Sequence, residues 1–320
     1  MRLKKIKDLL RPFRDFISSV LGYFYDMFRY LRYSGYRGYV KDDEKRDYKA
    51  VKIYHRLEKS LSFRDRRMGA GVRAAEDLVH LLSSRPEGSR LGFHECVGVS
   101  VLREFAKSSG MLFDVDVWTS GQEMLSSAVG GTIDISSSEL RRGVLSDPEG
   151  FFFSRWTVRD YSNEVVPRDV VERAVRLAMK TPSVCNRQAW HLYYVDVREK
   201  IDACLSLQNG NAGFGHEIPG LMIITFDLKA FDGAGERNQG WIDGGMFSMS
   251  LVYALHSLGV ASCCLNWSKT PGDDLRIRKI IPIKDHYNIV MMLGIGYPRE
   301  KIKVCASPRK PIDSVLEYWD

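Results

Sequence analysis

Between residues 11 and 31 apolar side chains return every three or four positions: Phe13, Phe16, Ile17, Val20, Phe24, Met27, Phe28 and Leu31. That step gathers them into one stripe of a helix, with Arg11, Arg14, Asp15, Ser18, Asp26 and Arg29 on the other side. Tyr30, Tyr33, Tyr36 and Tyr39 follow, interleaved with Arg32 and Arg37. The charge run from Lys41 to Lys49 predicts a solvated helix face or a linker. Two more helices are predicted over Val72–Ser83 and Phe93–Ser108, parted by Ser83-Ser84-Arg85-Pro86-Glu87-Gly88-Ser89, whose Pro and Gly are strong turn formers. Ser and Gly then thicken over 119–150, at Ser126-Ser127, Gly130-Gly131 and Ser136-Ser137-Ser138, and the stretch ends at Asp147-Pro148-Glu149-Gly150.

Beyond that boundary the period changes. Pro167–Met179 keeps Val170, Val171, Ala174, Val175 and Ala178 on one helical face. Short apolar runs at Leu192–Val195, Leu221–Phe226, Ala261–Trp267 and Asn288–Pro298 read as strands. A long apolar helix runs from Asp243 to Leu258, and Gly259 is placed to close it in the left-handed conformation that helix ends favour. The chain thus divides into a basic amphipathic helical segment (1–40), a mainly helical extension (41–150) and a mixed α+β domain (151–320).

Composition narrows the function. Lys+Arg exceed Asp+Glu by 47 to 40, a mild basic excess that suits an anionic cofactor or an acidic membrane surface. No stretch approaches the roughly 20 apolar residues of a spanning helix, and the basic start lacks a cleavage site, so a cytoplasmic location is expected. The aromatic, cationic start fits two roles: a peripheral contact with the inner membrane face through residues 11–39, or a helix packed on the protein itself or on its dimer mate. Its aromatics keep helical spacing and it matches no nucleic-acid module, so no nucleic-acid partner is expected. Six cysteines form no CxxC pair, which argues against a zinc site and for reduced, packed thiols; no metal is expected. Gly130-Gly131 has no P-loop lysine after it and reads as a turn.

The chemistry concentrates in two stretches. Thr181-Pro182-Ser183-Val184-Cys185-Asn186-Arg187-Gln188-Ala189-Trp190 joins a helix to a strand and offers short, differently directed hydrogen-bonding groups beside an aromatic plate, which suits a flat, heteroatom-rich ligand. Upstream, Arg155-Trp156-Thr157-Val158-Arg159 places two cations around a hydroxyl. Together they resemble the FMN-dependent nitroreductase family, whose signature is Arg-x-Ser-x-Arg/Lys followed by Pro-Ser-x-x-Asn-x-Gln-Pro-Trp. Here Thr157 replaces the Ser and Ala189 the Pro. Asp243-Gly244-Gly245 through Leu251 is similar to the family's Asp-x-Gly-(x)3-Gln-Asn-Leu helix, with Met249 and Ser250 in place of Gln-Asn. Pro308-Arg309-Lys310-Pro311 resembles its late basic element.

The resemblance implies a nitroreductase-like fold, a central, mostly antiparallel sheet flanked by helices. It implies bound FMN reduced by NADH or NADPH, ping-pong transfer to a small-molecule acceptor, and a homodimer with the flavin at its interface. Met246, Met249, Leu251, Val252 and Leu255 would then be covered by the partner. The cofactor set it implies is Arg155 and Arg309 on the phosphate, Trp156 and Thr157 beside it, and Arg159, with Asn211, at the N1–C2 edge where reduction places negative charge. Pro182 would lie against the ring, Ser183, Asn186 and Gln188 at its polar rim, and Leu265 and Asn266 near N5. No catalytic side chain is assigned.

Within the extension, His55-Arg56-Leu57-Glu58-Lys59-Ser60-Leu61-Ser62 resembles a His-x-x-Glu-Lys-Gly-Leu-Ser segment of nitroreductase-like proteins in surface-polysaccharide gene clusters, with Ser60 in place of Gly. His55 and Glu58 stand one helical turn apart, so they could share a proton or cover the flavin, or form an ordinary surface contact. The resemblance implies a link to polysaccharide biosynthesis; the alternative is a non-catalytic flavoprotein or membrane-docked scaffold in such an assembly system.

Overall fold

The computed structural model describes residues 2–36, 38–39, 41–119 and 128–319, the first nine by backbone alone. Arg37, Ser126 and Ser127 of the stretches above lie outside the described residues. Helices α1 (Arg2–Tyr33), α2 (Asp43–Ser62), α3 (Val72–Ser83) and α4 (Phe93–Ser109) come first, then one-turn helices α5 (Asp116–Thr119) and α6 (Ser137–Leu140). The second half runs α7 (Pro148–Phe153), α8 (Arg168–Ala178), β1 (Trp190–Val195), α9 (Arg198–Ser206), β2 (Gly220–Asp227), α10 (Gln239–Ser257), β3 (Ala261–Asn266), α11 (Pro271–Ile280) and β4 (Tyr287–Gly296).

The strands form one sheet in the order β1-β2-β4-β3, every pairing antiparallel. Alternation along β2 assigns its two faces. Leu221 and Ile223 enter a core with Met292, Cys263 and Leu265 under α9 and α11. Met222 and Ile224 enter the opposite core with Leu293 and Ile295 under α8 and α10. Both faces being covered explains why β2 is buried from end to end. Helix α10 passes close over the sheet because it carries glycine where it crosses: a Cβ at Gly240 would stand 2.2 Å from the Phe226 ring. The α+β class with a central antiparallel sheet is therefore what the chain adopts.

Helices α2, α3 and α4 enclose a third core, built from Val51, Tyr54, Leu57, Leu78, Leu102 and Phe105 among others. This helical unit sits on the edge of the sheet domain through charged and aromatic groups. Lys229 donates to Asp42 and Glu44, Lys284 donates to Glu44, and Tyr48 packs with Ala189, Phe226 and Phe231.

Helix α1 turns its polar side toward the sheet domain. Its apolar stripe faces out, with Phe13 and Phe16 each 65% exposed and Phe28 66%, while Arg29 from the polar side is buried. The Arg29 guanidinium donates to the carbonyls of Asp285 and Tyr287, to the Asn288 side chain and to Asp274. Five fixed donors meeting a ring of acceptors outweigh an apolar stripe that finds no matching groove on its own protomer. No helix of the described residues is long and apolar enough to cross a membrane.

The thiols also divide. All six are free; Cys96, Cys204 and Cys263 are buried, whereas Cys264 and Cys305 are exposed, contrary to the expectation that all were packed. Burial pushes the Cys204 and Cys263 thiols up to about 11, the unreactive direction.

Candidate functional site

Two groups of the expected residues are each brought together, one beside β3 and one before β1, the two opposite edges of the sheet. The first gathers on β3. Thr157 bridges Ser262 in parallel, and the Val158 N–H donates to the Ser262 carbonyl, which locks 155–159 onto the strand. Arg159 lies with its guanidinium carbon 5.7 Å from the Phe214 ring centroid and donates to Cys305 Sγ at 3.4 Å. Arg155 is half-buried, and among the described residues no carboxylate or carbonyl pairs with it. Leu265 is buried in β3 and Trp156 is largely exposed. Asn266 ends the strand, its carbonyl accepting from Gln208 Nε2 at 3.0 Å. Asn211 spends its amide donors inside its own loop, on the carbonyls of Leu205 and Gln208. Arg309 is exposed and donates to the Ser307 carbonyl.

The second group is the 181–190 junction. It follows α8 and crosses to β1 in a backbone that puts Cys185, Asn186 and Gln188 at φ 51°, 56° and 51°. Each non-glycine residue there costs roughly 1–2 kcal/mol, so the conformation is held from outside. Asp243 accepts from the Val184 N–H at 3.2 Å, and Ser183 Oγ accepts from the Gln188 N–H at 3.0 Å. Burial raises the Asp243 carboxyl above its ordinary range, against the pull of Gln239 and Val184. Pro182 and Asn186 lie exposed at the tip. Among the described residues the Asn186 side chain makes no hydrogen bond, and Gln188 Nε2 reaches only the Asn186 carbonyl at 3.4 Å.

Arg187, inside this motif but given no role by the sequence, is its anchor. It is 1% exposed and donates twice to Glu236, at 2.7 Å each, and to the Ala230 carbonyl at 2.6 Å. Partial burial of Glu236 opposes its charge, but the Arg187 fork, the Asp232 N–H and Lys52 outweigh it and hold the carboxyl at about 2. His94 and Lys52 from the extension complete the anchorage, and nothing in their sequence surroundings marks them; only the fold brings them here.

No hydrogen bond or ion pair among the described residues joins the Arg155 group to the Ser183 group. His55 and Glu58 reach neither. They stand 3.5 Å apart, Glu58 accepts from the Gly131 N–H at 3.3 Å, and both border a polar cavity of about 430 Å³ beside Gly131–Asp134. For a metal, one trio of the described residues brings ligand atoms within 4.8 Å: Glu44, Asp227 and His286. The Lys229 and Lys284 ammoniums already sit 2.8 Å from Glu44, so its charge is spent.

On helix α10, Leu251, Val252 and Leu255 are buried in their own protomer, which corrects the expectation that a partner covers them. The uncovered apolar side is instead Trp241, Ile242, Met246 and Met249, 38% to 53% exposed.

The two groups lie on a helix-flanked antiparallel sheet, as an Arg-x-Thr-x-Arg strap beside β3 and a polar loop before β1. In comparison with known proteins, the model of the nitroreductase family matches residues 153–209 and 204–297. This C-terminal part, somewhat under half of the chain, is similar to the nitroreductase family. A protein of Methanothermobacter thermautotrophicus, provisionally named NADH dehydrogenase/NAD(P)H nitroreductase, is 26% identical over 152 residues, 46% of this chain and 75% of that protein. Human iodotyrosine deiodinase 1 is 25% identical over 191 residues, 51% of this chain and 65% of the deiodinase, so about a third of that protein lies outside the match. Among solved structures, an FMN-dependent nitroreductase of Clostridium difficile R20291 superposes with a TM-score of 0.45 at 21% identity, over 54% of this chain and 99% of that one.

Proposed function

We propose that the chain is an FMN-dependent oxidoreductase that works by ping-pong as a two-fold homodimer: NADH or NADPH delivers the electrons, then a small-molecule acceptor takes them. The observation that carries this reading is the half-buried, unpaired Arg155 on β3. A guanidinium withheld from every carboxylate suits a phosphate, which it can meet with two parallel hydrogen bonds. Arg159, also without a carboxylate, would stand by the ring edge that gains charge on reduction. When bound, FMN supplies the hydride chemistry; protein groups hold and tune it. The exposed Asn186 amide and the Gln188 amide would meet the ring's polar rim, with Ser183 and Pro182 beside them.

The two groups are separate within a protomer, and the dimer is the arrangement that joins them: each slot would take the Arg155 group from one subunit and the 182–188 loop from its partner. Support comes from the exposed Trp241, Ile242, Met246 and Met249, an apolar stripe adjoining Asp243 and the loop. In this reading 151–320 is the flavin-binding domain, 41–150 its helical extension, and 1–40 a docking helix whose outward stripe would meet a partner or the inner membrane face from the cytoplasm. The link to surface-polysaccharide biosynthesis rests on the extension's motif alone.

The test is direct. Purified protein is expected to be yellow and to release a compound with the mass of FMN. Its absorbance should bleach with NADH or NADPH and return with a quinone or nitroarene. Colourless protein that binds no added FMN would overturn the cofactor; bound FMN that neither reductant bleaches would favour the scaffold reading.

A further inference from the structure

We propose that α2 and α4 of the extension form a brace for the 183–188 loop, with His94 and Lys52 as its positioning residues, so that the extension sets how firmly the loop is held and, through it, how tightly FMN binds. The final clause rests on the FMN reading above; the brace itself rests on the fold alone.

The loop needs bracing. Cys185, Asn186 and Gln188 all take left-handed backbone angles without being glycine, and such residues persist only where their surroundings over-determine them. The sheet domain supplies Asp243 and the Ser183 hydroxyl. The remaining restraint falls on Arg187, whose carbonyl and guanidinium both point inward, toward two arms of the extension.

The first arm is His94. Its Nε2 lies 3.3 Å from the Arg187 carbonyl and its Nδ1 3.0 Å from the Tyr54 hydroxyl. A carbonyl can only accept, so Nε2 carries the proton, and in a neutral ring Nδ1 then accepts from Tyr54. Burial keeps the ring neutral, holding it down at about 4. The second arm is Lys52. Its ammonium donates to Glu236 at 3.1 Å and Asp232 at 2.8 Å, and Glu236 is the carboxylate that grips the Arg187 guanidinium from the other side. Between the arms Tyr48, one helical turn before Lys52, packs against the buried cluster that holds Ala189 at the end of the loop, and Val184 joins the same cluster. Every one of these contacts is on the loop's inner side. The Asn186 amide, and the Gln188 amide held only by its 3.4 Å bond to the Asn186 carbonyl, face the outer side, where the cofactor would lie, so the brace acts on FMN only through the loop.

Hydrogen exchange on the full chain without added flavin tests this. His94→Leu is expected to speed exchange of the 181–190 amides about tenfold, the weight of one buried hydrogen bond, while β2 and β4 stay unchanged. His94→Gln, whose amide N–H can reach the Arg187 carbonyl, should restore most of the protection, and Lys52→Met should give about a threefold increase. FMN dissociation constants, read from flavin fluorescence, should rise in the same order. Wild-type exchange in folded His94→Leu and Lys52→Met would overturn the brace; if His94→Leu does not fold, Lys52→Met decides alone. A loosened loop with unchanged FMN affinity would overturn the link to the cofactor. A loosened loop in a protein whose wild type binds no FMN would leave the brace standing and remove the cofactor reading instead.

Discussion

The buried interior and the surface around β3 handle arginine in opposite ways. In the interior three buried guanidiniums are matched: Arg46 donates to Glu95 at 2.6 Å inside the helical extension, both side chains fully buried, Arg29 of α1 meets Asp274, and Arg187 meets Glu236 inside the sheet domain. Around β3, among the described residues, Arg155 has no carboxylate or carbonyl partner and Arg159 has only a thiol and an aromatic ring. A buried charge without a counter-ion costs several kcal/mol, so buried arginines must be paired to be tolerated at all. Half-exposed arginines can stay unpaired at little cost because water solvates them. The contrast separates cations that hold the protein together from cations that the fold does not need.

Breaking a buried pair should have the largest effect. Glu95→Ala strips Arg46 of its buried partner, and losses of about 3–5 kcal/mol are usual when one half of such a pair is removed. The midpoint of chemical denaturation should fall accordingly; an unchanged midpoint would mean that the buried pairing does not stabilise the fold.

At β3 the expected loss is of ligand affinity, not of stability. Arg155→Ala should weaken FMN binding by about 2–3 kcal/mol, the weight of a charge-assisted pair of hydrogen bonds, and should leave the unfolding midpoint near wild type. Arg159→Ala should weaken it less and lower the flavin's reduction potential, since a cation near the reducible edge favours the reduced form. Equal losses in cofactor affinity and fold stability for Arg155→Ala would erase the distinction between the two regions.

The smallest effect is a pH dependence. Burial pushes the Asp47 carboxyl up to about 7, with the backbone N–H groups of Glu95 and His94 pulling the other way. Between roughly pH 4 and 7 the folded state therefore holds a proton that the unfolded chain has released, and stability falls as pH rises through that window. His94, held at about 4, adds the opposite slope between its folded value and the ordinary histidine range, because there only the unfolded chain is protonated. Comparing wild type with Asp47→Asn isolates the first contribution. The stability lead of the asparagine variant should widen from pH 5 to pH 8; a constant difference would mean that Asp47 titrates normally.

Much of this was readable along the chain. The short apolar runs placed all four strands, and the 72–83 helix was located to the residue. Helices α9 and α11 escaped notice because neither carries a continuous apolar stripe; each buries only a few side chains, Ile201, Cys204 and Leu205 in one and Asp273 and Ile277 in the other. The stripe of α1 was located but its covering stayed open, since periodicity reveals a stripe without revealing what will cover it. In the site, the 181–190 motif was legible but its anchor was not: Arg187 sat in plain view between two residues assigned to the ligand, and its partner Glu236 lies 49 residues away.

Local sequence settled where helices and strands fall and which short polar segments lie between them, because backbone preference and side-chain period act over a few residues. Only the folded chain decided that Arg155 would remain unpaired, that Arg187 would be buried, and that His94 would meet a loop 93 positions downstream. Those outcomes depend on desolvation and on donors meeting acceptors from distant segments, and no window of neighbouring residues contains that information.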